Sequence, residues 1–357
     1  MAQVSVVRCQ DYHYPRVREA VERALEPLGG MGAFVKEGQG VLIKPNLLQA
    51  SPPEKGVTTH PAVVRAVVEL VAEAGGRPMI GDSPAIGPLR RVLSRTGMEA
   101  VARQTGAELV DFSDVVEVKP PEGPFRRIEV ARAALEAEVV INLPKLKTHS
   151  MMVMTLGVKN LFGSIPGFRK ASWHLKAGTD RAAFAALLLE VCLAVRPALT
   201  VMDGVVAMEG EGPNTGDLRP LGAILASRDP LALDRAVMEA LGLPPEGLPV
   251  LGVARQWGLW PEVQLEGEPL RVEGFRLPKG ADLTWGLPSF VKGPLRRWFL
   301  PKPRVDQRIC RACGLCVEAC PPKAMEMRGE RVEIDYGRCI RCYCCQEVCP
   351  EGAIELR

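Results

Sequence analysis

The sequence predicts an α/β protein, a largely parallel sheet with helices on its faces, followed at its C-terminus by a small α+β domain. Three observations predict it. The chain has 357 residues, which at about 150 residues per domain means roughly two domains. Short apolar runs alternate with stretches of helical periodicity through most of its length. Nine of the 11 cysteines fall between Cys310 and Cys349, which sets the end of the chain apart as its own unit.

Each element has its own reason. Val41-Leu42-Ile43, after Gly38-Gln39-Gly40, is short and wholly apolar, as a strand buried on both faces is. From His60 to Ala74 the residues Val63, Val64, Val67, Val68 and Val71 recur at helical spacing; Thr59-His60-Pro61 opens this helix and Gly75-Gly76 closes it. Arg77 to Ile80 is a second strand, running into Gly81-Asp82-Ser83-Pro84. Helical stretches around 88–104 precede a strand at Glu108-Leu109-Val110-Asp111. Val139-Val140-Ile141 is the next strand, ending at Asn142-Leu143-Pro144. Ala182 to Val195 is a helix, Leu199 to Met202 a strand ending at Asp203-Gly204, Leu221 to Ala226 a strand, and Pro230 to Leu241 a helix. The α/β domain is expected over residues 1–290. A Pro-rich basic linker, 291–305, follows, whose Trp298 and Phe299 suit docking between the domains. The second domain is expected over 306–357.

Lysine plus arginine number 45 and aspartate plus glutamate 42, a net charge of only +3. That balance excludes nucleic acid or an anionic membrane as the main partner. The N-terminus lacks the long apolar stretch of a signal peptide. The longest apolar stretch, Ala182 to Val195, is interrupted by Glu190 and falls short of the ~20 residues that cross a bilayer. No transmembrane segment and a cytoplasmic location are expected. Cytoplasmic thiols stay reduced, so these cysteines are expected to hold metal rather than form disulfides.

Cys310, Cys313, Cys316 and Cys320, followed by Pro321, are spaced C-x2-C-x2-C-x3-C-P. Cys339, Cys342, Cys345 and Cys349, followed by Pro350, repeat the pattern at an offset of 29, with Ala324 matching Ala353 and Glu326 matching Glu355. This is one structural unit duplicated. Structural zinc usually takes two C-x2-C pairs across a longer spacer, which fits badly. Three cysteines at this spacing wrap one face of a 4Fe–4S cubane, and the fourth, before proline, reaches the other cluster. One 4Fe–4S cluster is therefore assigned to Cys310, Cys313, Cys316 and Cys349, and a second to Cys339, Cys342, Cys345 and Cys320. The segment closely resembles the bacterial two-cluster ferredoxins over residues 306–357. The small domain is thus expected to be ferredoxin-like and to pass single electrons. Cys344 has no counterpart, Leu315 standing in its place, and reads as a spare thiol near a cluster.

In open α/β sheets ligands bind beyond the carboxyl ends of the strands, and here each expected strand end is polar. The first gives Lys44-Pro45-Asn46, the second Asp82-Ser83, the third Asn142 to His149 with Lys145 and Lys147, the fourth Asp203 with Glu209 and Glu211 after it. Gly157-Val158-Lys159-Asn160 follows the third group. Surface loops collect charge anyway, but a lysine closing an apolar strand is costly to bury alone, and its recurrence points to a shared pocket. Lys44, Lys145, Lys147 and Lys159, with Asn46, Asn160 and His149, supply donors for carboxylate or phosphate oxygens. Ser83 stands beside them. Asp82, Asp203, Glu209 and Glu211 bind a divalent metal, orient the lysines or move protons. The run Gly210 to Gly216 offers backbone N–H groups to an anion. His174, near Lys170 and Lys176, is placed to cover the pocket from a mobile loop. No G-x-G-x-x-G follows a strand and no P-loop occurs, so neither nucleotide motif is supported.

Lys44-Pro45-Asn46, Gly81-Asp82-Ser83-Pro84, Asn142 to His149, Gly157-Val158-Lys159-Asn160, Met208-Glu209-Gly210-Glu211-Gly212-Pro213 and Ser227-Arg228-Asp229-Pro230 resemble the signature segments of the family called domain of unknown function 362. The resemblance spans about residues 40 to 241, in order. That prokaryotic family is often fused to a C-terminal two-cluster ferredoxin. It implies an iron–sulfur protein with a redox role, and a fold related to that of the nickel-dependent lactate racemases, from which no residue is carried over. Two classes of function remain. One is a ferredoxin-coupled oxidoreductase. Its clusters serve a small anionic substrate or cofactor held by Lys44, Asn46, Ser83, Lys159, Asn160, Asp203, Glu209 and Glu211, with Lys145, Lys147, His149 and Asp82 as catalytic groups. The other is an electron-transfer subunit or ligand-sensing adaptor that docks a redox partner protein.

Overall fold

The structure is a computed structural model that describes residues 1–85, 87–120, 123–167, 169–178, 180–279 and 300–357. Its frame is a ten-stranded mixed sheet. The strands in chain order are β1 (Ala2–Arg8), β2 (Gly40–Pro45), β3 (Arg77–Gly81), β4 (Glu108–Val110), β5 (Val115–Val118), β6 (Ile128–Ala131), β7 (Val139–Leu143), β8 (Lys145–His149), β9 (Val153–Thr155), β10 (Leu199–Glu209), β11 (Asp217–Ser227) and β12 (Val263–Gly267). The sheet runs β12-β1-β11-β10-β7-β2-β3-β4, and β5 and β6 pair with each other outside it. From β10 to β4 every pairing is parallel, and on this path only β11 runs against its neighbours. β2 and β7 are buried along their whole length. Helices on both faces cover them, which is why Val41-Leu42-Ile43 and Val139-Val140-Ile141 read as apolar runs.

The expected strands and helices are present, with bounds moved by a few residues. Helix Pro61–Glu73 starts at a proline, and His60 accepts the Ala62 N–H at 3.2 Å as its cap. It packs on one face of the sheet with helix Tyr14–Leu25. Helices Arg181–Val195, Pro230–Ala240 and Pro249–Gln256 pack on the other.

Two differences matter for the site. The strand expected to stop at Met202 continues to Glu209, with a register irregularity between Gly204 and Val206. Asp203 therefore lies within β10, not at its end. The segment after Leu143, expected as a strand-end loop, is itself strand β8. It pairs in parallel with the far half of β10 and antiparallel with β9. A bulged long strand can pair with two successive partners on one side, and β10 pairs with β7 first and β8 next.

The C-terminal domain is small and two-fold. Strand β13 (Pro303–Val305) pairs with β16 (Ile354–Leu356), and β14 (Met325–Arg328) pairs with β15 (Arg331–Ile334). An offset of 29 carries the pair Met325–Ile334 onto Ile354–Val305, so each duplicated half lends a strand to the other. The short helices Leu315–Glu318 and Cys344–Val348 match at the same offset. So do three left-handed backbone positions: Ala312 and Arg341, Gly314 and Tyr343, Lys323 and Gly352. Pro303–Val305, expected within the linker, thus belongs to this domain. The earlier linker residues 291–299, with Trp298 and Phe299, lie outside the described residues.

Candidate functional site

A cavity of about 720 Å³ lies between the two domains, a size that suits a small organic molecule. The α/β domain contributes Asn46, Asp82, Ser83, Lys147, His149, Lys159, Asn160, Lys170 and His174. The C-terminal domain contributes Leu315, Glu318, Ala319, Cys344, Glu347, Val348 and Pro350. These flank cysteines of the repeat: Leu315 precedes Cys316, Ala319 precedes Cys320, Cys344 precedes Cys345, and Cys349 lies between Val348 and Pro350.

Beneath the cavity floor Lys44 is fully buried, its Nζ 2.8 Å from Asp82 Oδ1. The other Asp82 oxygen accepts the Leu47 N–H at 2.7 Å. Burial pushes the Lys44 amine down and Asp82 works against that. Gly163 makes room for the pair, since a Cβ there would lie 2.1 Å from Asp82 Oδ1 and 2.6 Å from Lys44 Nζ. A chain of amides runs beside it. Asn46 Nδ2 donates to Asn160 Oδ1 at 2.9 Å, and Asn160 Nδ2 donates to Asn142 Oδ1 at 2.8 Å.

His149 crosses the domain boundary. Its Nδ1 accepts the N–H groups of Met151 and Met152 at 3.1 and 3.2 Å. The ring proton therefore sits on Nε2, which faces Glu347 Oε1 at 2.8 Å. Burial pulls this imidazole down to about 4, with Glu347 opposing. Burial would raise the Glu347 carboxyl, but His149, Lys159 and His174 bring it down to about 2. The arrangement is a neutral imidazole set against a carboxylate of the other domain, close in distance but not aligned as a hydrogen bond.

The remaining cavity amines differ in their partners. Lys147 donates to the Val57 carbonyl at 2.5 Å. Lys170 donates to the carbonyl and hydroxyl of Ser83 at 2.8 and 2.9 Å. Burial brings both down to about 7, and Lys159 adds to the effect on Lys147. The Lys159 amine has no hydrogen bond or ion pair among the described residues and lies 5.9 Å from the Phe162 ring centroid.

The rest of the expected constellation is elsewhere. Lys145 and Asp203 form their own buried pair at 2.9 Å. Tyr12 bridges it, accepting from Lys145 at 2.6 Å and donating to Asp203 at 2.7 Å, and it stacks on His60 with ring centroids 3.6 Å apart. Neither Lys145 nor Asp203 lines the cavity. Glu209 is taken by Arg276 at 2.8 Å, and Glu211 accepts the Lys279 N–H at 2.9 Å. The four carboxylates do not converge on a cation; Asp82 and Asp203 orient lysines instead. The glycine-rich run is also spoken for: Gly210 N–H donates to Arg276 O, and Gly212 N–H to Gly210 O and the Thr148 hydroxyl. His174 sits on helix Arg169–Ala177 with its ring packed among Phe162 and Phe184, not on a covering loop.

Sequence reasoning did not assign Glu347, Glu318 or Lys170 to the site. The repeat carries a signal for the first two, because Glu318 and Glu347 are equivalent at the offset of 29 and both line the cavity. Lys170 and His174 stand four apart, on one face of a helix.

The repeat cysteines gather in two small enclosed spaces. One is lined by Cys310, Cys313, Cys316 and Cys349. The other is lined by Cys320, Cys339, Cys342 and Cys345, with Cys344 at its edge. The N–H groups of Ala324 and Ala353, equivalent residues, point at Cys320 and Cys349 Sγ at 3.2 Å each. A set of four thiols with backbone donors to sulfur fits a 4Fe–4S cluster.

An α/β domain docked on a duplicated cysteine-rich domain defines an iron–sulfur protein with an interdomain cavity. Residues 41–239 match the family described as Domain of unknown function (DUF362), and residues 309–353 match the 4Fe-4S dicluster domain. The chain belongs to the DUF362 family and carries a 4Fe–4S dicluster domain. It is 39% identical over 304 residues to the Thylakoid-associated protein sll1697 of Synechocystis sp., covering 83% of this chain and 94% of that protein. Among solved structures, the lactate racemase apoprotein from Thermoanaerobacterium thermosaccharolyticum gives a TM-score of 0.40 at 11% identity. The alignment covers 64% of this chain and 54% of the racemase, so this chain spans about half its length. Among the described residues no helix is long and apolar enough to cross a membrane.

Proposed function

We propose that this protein is an iron–sulfur oxidoreductase that passes electrons between two 4Fe–4S clusters and a small anionic molecule in the interdomain cavity. One observation carries the reading: the cavity wall is made of residues adjacent in sequence to Cys316, Cys320, Cys345 and Cys349. A molecule bound there touches the immediate neighbours of the cysteines assigned to both clusters. Clusters pass single electrons, so the acceptor is one that tolerates a radical, such as a flavin-like ring or a conjugated carbonyl.

Proposed cluster ligands are Cys310, Cys313, Cys316 and Cys349 for one, and Cys320, Cys339, Cys342 and Cys345 for the other. Asn46, Ser83, Lys159 and Asn160 face the bound molecule, Lys147 provides a proton, and His149 with Glu347 fixes the two domains around it. Cys313 is the exposed member of its set, so that end suits exchange with a redox partner protein. The proposed setting is the cytoplasm.

Native mass spectrometry of protein purified without oxygen tests this. The expected mass is the chain plus two 4Fe–4S clusters plus one small molecule. Chain plus clusters alone, with reduced clusters that no anionic extract reoxidises, shifts the function to an electron-transfer subunit. Zinc in place of iron removes the basis of both.

A further inference from the structure

We propose that Lys159 and His174 form the seat for the ligand's charged group, that this group is a carboxylate, and that it lies against the wall carrying Cys344 and Glu347. The proposal rests on the reading that the cavity binds a small anion, and it names which residues bind it and which anion they take.

Lys159 is the amine left over. Lys44 has Asp82 at 2.8 Å, Lys170 has Ser83, and Lys147 has the Val57 carbonyl. Lys159 has no such partner among the described residues; burial pushes its amine down, and Glu347 and Cys344 work against that. Glu347 is the carboxylate that acts on it, and it faces His149 at 2.8 Å. An amine without a partner on the wall of a cavity calls for an anion.

His174 is the second unsatisfied group. It is 5% exposed, and its ring is fixed by stacking on Phe184 at 4.3 Å and edge contact with Phe162 at 5.9 Å. Its Nδ1 is buried without a partner. With the proton on Nδ1, a ligand oxygen supplies the partner that this buried N–H lacks. This gives one cation and one neutral N–H donor, both near Glu347. A carboxylate matches these two, with one oxygen for the ammonium and one for the imidazole; Arg91 also lines the cavity. A phosphate brings more charge and a third oxygen that these two residues leave unmet.

The experiment uses benzoate, which accepts no electrons under these conditions, so it reads the seat whether or not the protein is an oxidoreductase. Anaerobic holoprotein is titrated calorimetrically with benzoate, and the electron paramagnetic resonance of the reduced clusters is recorded with and without it. Benzoate is expected to bind, to perturb the reduced-cluster spectrum, and to resist competition by inorganic phosphate. Lys159→Gln is expected to weaken it by about tenfold or more and His174→Phe by about fivefold, while Lys176→Gln, outside the cavity on the same helix, stays within about twofold. If Lys159→Gln fails to assemble clusters, Lys159→Arg is expected to retain binding that His174→Phe still weakens. No binding to the wild type, wild-type affinity in both seat variants, or full displacement by phosphate overturns the proposal. Benzoate binding as expected, with clusters that deliver electrons to no acceptor, would leave the seat in place and remove the oxidoreductase reading instead.

Discussion

Lys44, Lys145, Lys147 and Lys159 share a residue type and differ in what surrounds the amine. Two are closed into ion pairs with Asp82 and Asp203. A buried pair of this kind contributes little net stability, but losing one partner costs about 3–5 kcal/mol because the other charge is stranded. Lys147, at 1% exposure, has only a carbonyl for company. Burial, then Lys159, moves it from 10.5 to about 7. The unfolded chain therefore binds more protons than the folded one between about pH 7 and about pH 10.5. Stability gains with pH across that window, and the cost of the buried charge is present in full below it. Anion binding runs the other way. Benzoate affinity of the wild type is expected to fall several-fold from about pH 6 to about pH 8 as Lys147 loses its proton. Lys147→Met should flatten the profile in part, with Lys170, also brought to about 7 by burial, giving the remainder. A flat wild-type profile contradicts this.

At the level of elements, β8 explains why a common face did not become a common site. Lys145, Lys147 and His149 alternate along a strand and so share one side of it. Four residues of strand span about 13 Å. That length carries Lys145 to Tyr12 and Asp203 while Lys147 and His149 reach the cavity. The helix Arg181–Val195, against which His174 packs through Phe184, depends on its cap: Asp180 accepts the N–H groups of Ala182 and Ala183 at 2.9 and 3.1 Å. Asp180→Ala is expected to cost about 1 kcal/mol in urea denaturation followed by far-ultraviolet circular dichroism, with little effect on cluster content. A change within experimental error would mean that tertiary packing alone holds that helix end.

Over the whole molecule, the site exists only where two domains meet. Tyr343 anchors them. Its equivalent in the first repeat is Gly314, and both have left-handed backbones, with φ of 61° and 77°. A bulky residue there is disfavoured, by about 1 kcal/mol or more. Tyr343 is nonetheless 1% exposed, packed with the core of the α/β domain. Around it Ser150 donates to Gln346 Oε1 at 2.6 Å, and Asn214 Nδ2 to the Cys349 carbonyl at 2.7 Å. Tyr343→Ala removes the anchor, a loss of about 3 kcal/mol by analogy with other aromatic truncations. Hydrogen exchange is expected to quicken in both Cys344–Val348 and Arg169–Ala177, with the cluster spectra retained and benzoate affinity lowered. Unchanged exchange in both segments would show that docking does not depend on this residue.

The sequence by itself determined what is local or strictly periodic. Valine stripes and apolar runs are one-dimensional signals, so the helix at His60, the strands at Val41 and Val139, and the α/β class were legible in it. The doubled cysteine spacing was legible too, because cluster ligation is written into a few dozen neighbouring residues. Of the pocket residues named from the sequence, Asn46, Asp82, Ser83, Lys147, His149, Lys159 and Asn160 do line one cavity, since parallel strands align their carboxyl ends. Only the tertiary structure decided the rest. Whether an amine is free depends on which carboxylate lies within about 3 Å of it, and Lys44 finds Asp82 across two strands while Lys145 finds Asp203 far along the chain. The second wall of the site, with Glu347 against His149, comes from a domain that no periodicity places. Docking is a fit between two finished surfaces, and a surface is defined only after each domain has folded.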